Sequence, residues 1–190
     1  MEPGTPPRIE PVSLDDYQRL ADVVAGGSDR IEVSPALNLT RTWALHRELF
    51  AAQHDLQAYF RHSRVLPPKE REIVILRIGW RCNCQYEFGQ HTIRARAAGL
   101  TSEQIAMTTR DREWNKDERA PDAYGLLISV VDELYDTNDL SDEVWHVLAG
   151  HYDARQIIEL ISVIGRYWGV CMLMNSLRIQ LEPGAPGFPE

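Results

Sequence analysis

The sequence predicts an all-α fold. Three observations carry that expectation. Apolar residues recur at spacings of three and four along most of the chain, helix start and stop residues punctuate nearly every segment, and no Asn-Gly turn flanked by alternating residues marks a hairpin. The 190 residues suit one domain with short arms, and 44% hydrophobic with 25% charged residues is ordinary globular composition.

Residues 1–12 hold four prolines and one glycine and read as an extended arm, free or laid on a partner subunit. Ser13 with Asp16 starts a helix that Gly26-Gly27 stops. From Asn38 to His62 the pattern reads as one long amphipathic helix, with Leu39, Trp43, Leu49, Phe50 and Tyr59 on its apolar side. His46, His54 and His62 recur on it and read as part of a polar face. Pro67-Pro68 opens the next helix, because a first turn has no use for the missing N–H. Its run IVILRIGW is β-branched enough for a strand, but the charged lead-in KERE and the helical neighbours favour a buried helix.

Asn83 is the expected cap of the helix that follows and Gly99 its stop. Thr101 and Gln104 form a capping box for a short helix. Residues 110–120 read as a charged loop, and Pro121 opens a helix through Leu134. Ser141, with Glu143 in the first turn, opens another, and Asp153 with Gln156 forms a second capping box. The last helix, IIELISVIGRYWGVCMLMNSL, is apolar on nearly every side, which marks a helix covered all round, here by subunit contacts. A homo-oligomer is the expectation. The tail PGAPGFPE reads like the first arm, so the expected organisation is arm 1–12, one all-α domain 13–182 and tail 183–190.

Net charge −8 and a pI of about 5.3 argue against a nucleic-acid partner, since an acidic surface repels phosphate. The expectation is also no membrane partner, because no apolar run reads as reaching the roughly 18 residues that span a bilayer. The start lacks the basic and apolar regions of a secretory signal. Three cysteines, Cys82, Cys84 and Cys171, make no disulfide framework, which fits a reducing cytoplasm.

Cys84, Glu87 and His91 are spaced three and four apart, so on a helix they project from one face. A thiol, a carboxylate and an imidazole on one stripe can exchange protons. A cysteine at a helix start is favoured as thiolate, and a histidine beside a carboxylate titrates near neutral pH. The alternatives are an ordinary surface pair of Glu87 and His91, with Cys84 a small buried hydrophobe. A metal reading is weaker still, because three ligands within two turns of one helix suit zinc poorly. No metal and no cofactor are expected. Cys171, in an apolar helix, reads as inert.

The segments LPPKEREIVILRIGW, CQYEFGQH and AAGLTSEQI resemble the carboxymuconolactone decarboxylase family, which includes alkylhydroperoxidase D-like proteins. Weaker likeness extends to LNLTRTWALHRELF and to HYDARQIIELI and NSL. The resemblance implies an alkylhydroperoxidase D-like helical domain that assembles into a trimer or hexamer. In the peroxidase branch the helix carries Cys-x-x-Cys, a histidine four residues on and a glutamate twelve residues before. Those positions fall on Cys84, Glu87, His91 and Glu72, so one thiol is replaced by a carboxylate. Cys82 offers a second thiol, but a Cys-x-Cys pair closes only with strained geometry, and a packed or solvent-facing Cys82 is the plainer reading.

The resemblance therefore implies acid/base chemistry of decarboxylase, lyase or isomerase type on a small organic acid, lactone or unsaturated carbonyl compound. Glu72 and His91 would shuttle the proton, Glu87 would orient His91 or act as second acid/base group, and Tyr86 and Cys82 would line the substrate site with Cys84. A substrate carboxylate would need a cation from among Arg71, Arg77, Arg81 and Arg94. Two alternatives stand beside it: a thiol-dependent hydroperoxidase using Cys84, and a non-catalytic ligand-binding protein on the same frame.

Overall fold

Ser13 opens the first helix by two local bonds. Its hydroxyl donates to the Asp16 carboxylate at 2.6 Å and accepts from the Asp16 amide at 3.1 Å. The computed structural model describes residues 5–24, 36–110 and 123–189, and over these it contains nine α-helices and no strand. They divide into two compact units, 1–63 with 174–184, and 64–173 with 185–190. The Gly26-Gly27 stop, the charged loop from residue 111, Trp114 and the Pro121 start lie outside the described residues.

The first unit holds α1 (Leu14–Val24), α2 (Asn38–Trp43) and α3 (Arg47–His62). The long helix expected from Asn38 is thus two helices. The break falls where the His46 ring accepts the Leu49 amide through Nδ1 at 3.3 Å and caps α3. His54 lies on no polar face: it is buried, edge-on to Phe50. The core here is Tyr17, Ala21, Leu39, Trp43, Phe50 and Phe60, with Tyr17 set edge-on to Phe50.

The described part of the first arm lies on its own chain. Arg8 donates its amide to the Leu177 carbonyl and its guanidinium to that of Ser176, and Arg41 reaches the Val12 carbonyl at 2.7 Å. Glu182 and the Gln180 carbonyl accept from the first residue of α2, Asn38, at 2.7 and 2.9 Å. A carboxylate there also suits the positive end of a helix dipole.

The second unit is built around α4 (Pro68–Arg81). Residues 71–79 of α4 are all buried, and the β-branched run is helical because α4 is covered on every side by α5 (Gln85–Ala97), α7 (Ala123–Thr137) and their neighbours. Arg77 is buried in this core. It donates two bonds to Asp132 on α7, both 2.7 Å, and two more to the carbonyls of Thr108 and Arg110. Arg81 pairs with Asp132 and Asp136 and lies over the Tyr135 ring at 4.7 Å.

Both capping boxes form. Thr101 closes α6 (Ser102–Met107) with Gln104, and Asp153 exchanges bonds of 2.9 and 3.0 Å with Gln156 at the start of α9 (Ala154–Leu177). Ser141 caps α8 (Asp142–His151).

One expectation is corrected on α9. By length and composition this helix could cross a membrane, so such an apolar run does exist in the chain; half of that window is buried against the rest of the chain, as in a core helix. Its own chain leaves part of the helix open, where the sequence expects subunit contacts. Ile158, Ile161 and Met172 stay exposed, at 67%, 37% and 57%. The tail, too, is no loose arm. Phe188 sets its ring edge-on to Trp80 and Phe88 at 5.0 and 5.2 Å, and Gly187 lies against Gln85.

Candidate active site around His91

The turn joining α4 to α5 sets the site. Cys82 ends α4, and Asn83 follows with φ 49°, in the left-handed region. The Asn83 amide bonds the Trp80 carbonyl and the Cys84 amide bonds the Gly79 carbonyl, at 2.9 and 2.8 Å. This is a Schellman closure of α4. Asn83 therefore ends one helix and does not cap the next. The capping position of α5 falls to Cys84, whose side chain makes no capping bond. Asparagine fits because its short polar side chain tolerates the left-handed region better than other non-glycine residues. Gly99 closes α5 in the same way, with φ 90°. Gly79 lets the two helices close up, since a Cβ there would stand 3.3 Å from the Phe88 amide nitrogen.

This packing brings Glu72 from α4 to His91 of α5. Glu72 Oε2 lies 2.6 Å from His91 Nδ1, and Glu87 Oε1 lies 2.8 Å from His91 Nε2. An imidazole thus sits between two carboxylates, all three buried at 5% exposure or less. The Arg94 guanidinium stands 3.2 Å from the same Nε2, and Arg71 lies 3.8 Å from Glu72. Tyr167 of α9 sets its ring edge-on to the imidazole at 5.0 Å.

Charge settles how the group titrates. Burial pulls the His91 pKa down, but the charges of Glu72 and Glu87 outweigh it, and the net shift is upward against an opposing Arg94. Burial pushes the Glu72 carboxyl up, but His91, through charge and hydrogen bond, then Arg94 and Arg71, outweigh it and hold it below the usual range. Burial, with Glu87 and Glu72 nearby, pushes the Tyr167 hydroxyl up to about 12. Nδ1–H is tied to Glu72. Nε2 faces both a carboxylate, which favours a proton there, and a guanidinium, which donates to the bare nitrogen. Nε2 is therefore the atom at which a proton can be held or released.

The structure brings Glu72, Glu87 and His91 together. Tyr86 is buried beside Glu87 in the first turn of α5. Cys84 is buried at the start of α5, and Cys171 of α9 stands within hydrogen-bonding reach of its sulfur and of that of half-buried Cys82. Cys171 is thus one of three thiols that meet, which its apolar sequence context gives no reason to expect. Of the four candidate arginines, Arg94 and Arg71 face the site, whereas Arg77 and Arg81 are tied to Asp132. Sequence reasoning does not single out Tyr167 and Cys171 for the site. Their one-turn spacing is visible, but nothing in the sequence says which helix they face. Among the described residues no group of three His, Cys, Asp or Glu side chains is placed to hold a metal ion.

Residues 47–127 match the model of the carboxymuconolactone decarboxylase family. The match covers less than half of the chain and marks a likeness to that family. It runs from the start of α3 into α7 and contains Glu72, Glu87 and His91. The uncharacterized protein YdfG of Bacillus subtilis (strain 168) is 26% identical over 114 residues, which cover 59% of this chain and 75% of that protein.

Two crystal structures share the fold. One is the debrominase Bmp8, as a cysteine-to-alanine variant in complex with 2,3,4-tribromopyrrole (TM-score 0.68, 14% identity, 92% of this chain and 91% of that one). The other is an uncharacterized peroxidase-related protein from Silicibacter sp. TM1040 (TM-score 0.71, 13% identity, 97% and 96%). The all-α, alkylhydroperoxidase D-like fold is therefore the fold of this chain.

Proposed function

We propose that this protein is an enzyme that moves a proton on a small unsaturated organic acid, lactone or related carbonyl compound, with His91 Nε2 as the proton-carrying atom. The observation that carries the reading is the placing of Nε2 between Glu87 and Arg94, with Nδ1 held by Glu72. Glu72 fixes the tautomer and supports the imidazolium. Arg94 supplies the cation that a carboxylate substrate needs. In a decarboxylation the bond to the carboxylate breaks, carbon dioxide leaves, and its electron pair passes into the conjugated carbonyl. Nε2–H then delivers the proton to carbon. In an isomerisation the same nitrogen first takes the proton and later returns it. The 2,3,4-tribromopyrrole in complex with the debrominase, a small unsaturated ring, is of the substrate size this reading calls for.

The test is turnover of a panel of small unsaturated acids and lactones. His91→Gln is expected to lower the rate by about 10²–10⁴-fold, the usual worth of a placed acid/base group. Cys84→Ser is expected to keep measurable turnover, because the scheme draws no proton from its sulfur. Wild-type rates in folded His91→Gln, or loss of all turnover in folded Cys84→Ser, would end the acid/base reading.

A thiol-dependent reading is favoured by a separate observation, the meeting of three sulfurs beside Glu87. The peroxidase-related neighbour is consistent with it.

A further inference from the structure

We propose that the Tyr167 hydroxyl is a catalytic hydrogen-bond donor to a carbonyl oxygen of the substrate, so that the substrate class is a carboxylic acid that also carries a conjugated carbonyl. The inference rests on the proton-transfer reading of His91 and narrows it. Three observations support it.

The first is place. Tyr167 lies within α9 and sets its ring edge-on to the His91 imidazole, with centroids 5.0 Å apart and planes at 80°. A tyrosine oxygen stands at the rim of its own ring, so this one is within a small molecule's span of the imidazole. Glu87, Arg94, Glu72 and Arg166 all act on it through charge.

The second is an unused bond. Tyr167 is 8% exposed, yet no described residue bonds its hydroxyl, and that oxygen is not sealed into the interior. A buried tyrosine hydroxyl ordinarily finds a partner. Tyr152, buried to the same degree, donates its hydroxyl to Glu70 at 3.0 Å.

The third is that the neighbouring groups are committed. Glu72 and Glu87 hold the two imidazole nitrogens and, as carboxylates, have no proton to donate. Arg71 stands on Glu72, and Arg94 is the cation for the substrate carboxylate. A second oxygen on the same substrate then has Tyr167 to meet it. Burial and the two carboxylates push that hydroxyl up to about 12, so it keeps its proton through neutral pH and acts as a donor.

The carbonyl oxygen accepts the Tyr167 O–H. When carbon dioxide leaves, or when Nε2 takes a proton from the carbon beside the carbonyl, the released electron pair makes an enolate. Negative charge gathers on the oxygen that Tyr167 holds, and the bond strengthens there. Nε2–H then gives a proton to carbon, the pair moves back, and the carbonyl reforms. Tyr167 keeps its own proton throughout. After a decarboxylation Nε2 regains its proton from solvent.

The test is Tyr167→Phe, which removes one oxygen and leaves the ring. The first readout is binding of 4-nitrophenol followed by absorbance, because its phenolate imitates an enolate oxygen and needs no turnover. The wild type is expected to bind the phenolate, and Tyr167→Phe to bind it about 10–100-fold more weakly, the usual worth of a hydrogen bond to a charged oxygen. The second is turnover of acids with a conjugated carbonyl, where kcat should fall by a similar factor while KM changes little. The His91 ring-proton shift should keep its wild-type titration midpoint. Equal phenolate affinity, or a wild type that binds no phenolate, overturns the proposal. So does a moved His91 midpoint, which would mean that Tyr167 acts through His91, or a marked loss of stability, which would mean that the hydroxyl is bonded within the fold. If no acid or lactone turns over while the phenolate difference remains, the failure lies with the proton-transfer reading and not with the Tyr167 donor.

Discussion

His91 shows most directly how burial and charge oppose each other. An isolated imidazole in this interior would lose its proton, yet two carboxylates at 2.6 and 2.8 Å reverse the direction. Glu72→Gln removes the largest favourable charge and should lower the His91 pKa. The limb of the rate profile on which activity falls with rising pH should move to lower pH. The ring-proton shift of His91, followed by NMR through the same range, checks this without a substrate; an unchanged midpoint would exclude Glu72 as the controlling group. The residue types of this relay are legible from spacing and from the family pattern. Arg94 is one of four arginines that spacing does not separate, because which of them turn inward depends on Asp132, which lies on another helix far along the chain.

At the scale of the element, the turn after α4 decides how the chain enters the site. Asn83 at φ 49° can be replaced by glycine at little cost, since glycine has no Cβ to clash there. Asn83→Val should destabilise the protein by about 1–2 kcal/mol, the usual penalty of a left-handed L-residue. Urea unfolding of the two variants checks the sign. Equal stability of glycine and valine would mean the turn relaxes. The sequence marks Asn83 as a helix boundary but assigns it to the wrong helix, because asparagine serves both as a helix start and as a left-handed stop. The capping boxes are legible because each is written within four residues. The break after Trp43 is not, since histidine is no usual cap.

At the scale of the whole molecule, stability should depend on pH in a way that isolates the buried relay. His91 is raised from 6.5, so its contribution is complete below 6.5 and is lost as pH rises through the folded value. Glu72 is lowered from 4.5, so its contribution is complete above 4.5 and is lost as pH falls through the folded value. The stability gap between wild type and Glu72→Gln should therefore be widest between pH 4.5 and 6.5 and narrow on both sides, as denaturant midpoints across that range can show. Asp132→Ala should be costlier at every pH, about 3–5 kcal/mol, because it strips the carboxylate from a buried Arg77. An Asp132→Ala protein as stable as wild type would mean that the Thr108 and Arg110 carbonyls suffice for that charge.

The ring of Phe188 bears on how this protein is handled at the bench. The sequence around it, PGAPGFPE, looks like material to trim when a crystallisation variant or a fusion is drawn up. Trimming it would take an aromatic plug from behind Trp80 and Phe88, on the helices that carry Glu72 and His91. A shortened variant that has lost activity would then report on damaged packing, and blaming its chemistry would be a mistake.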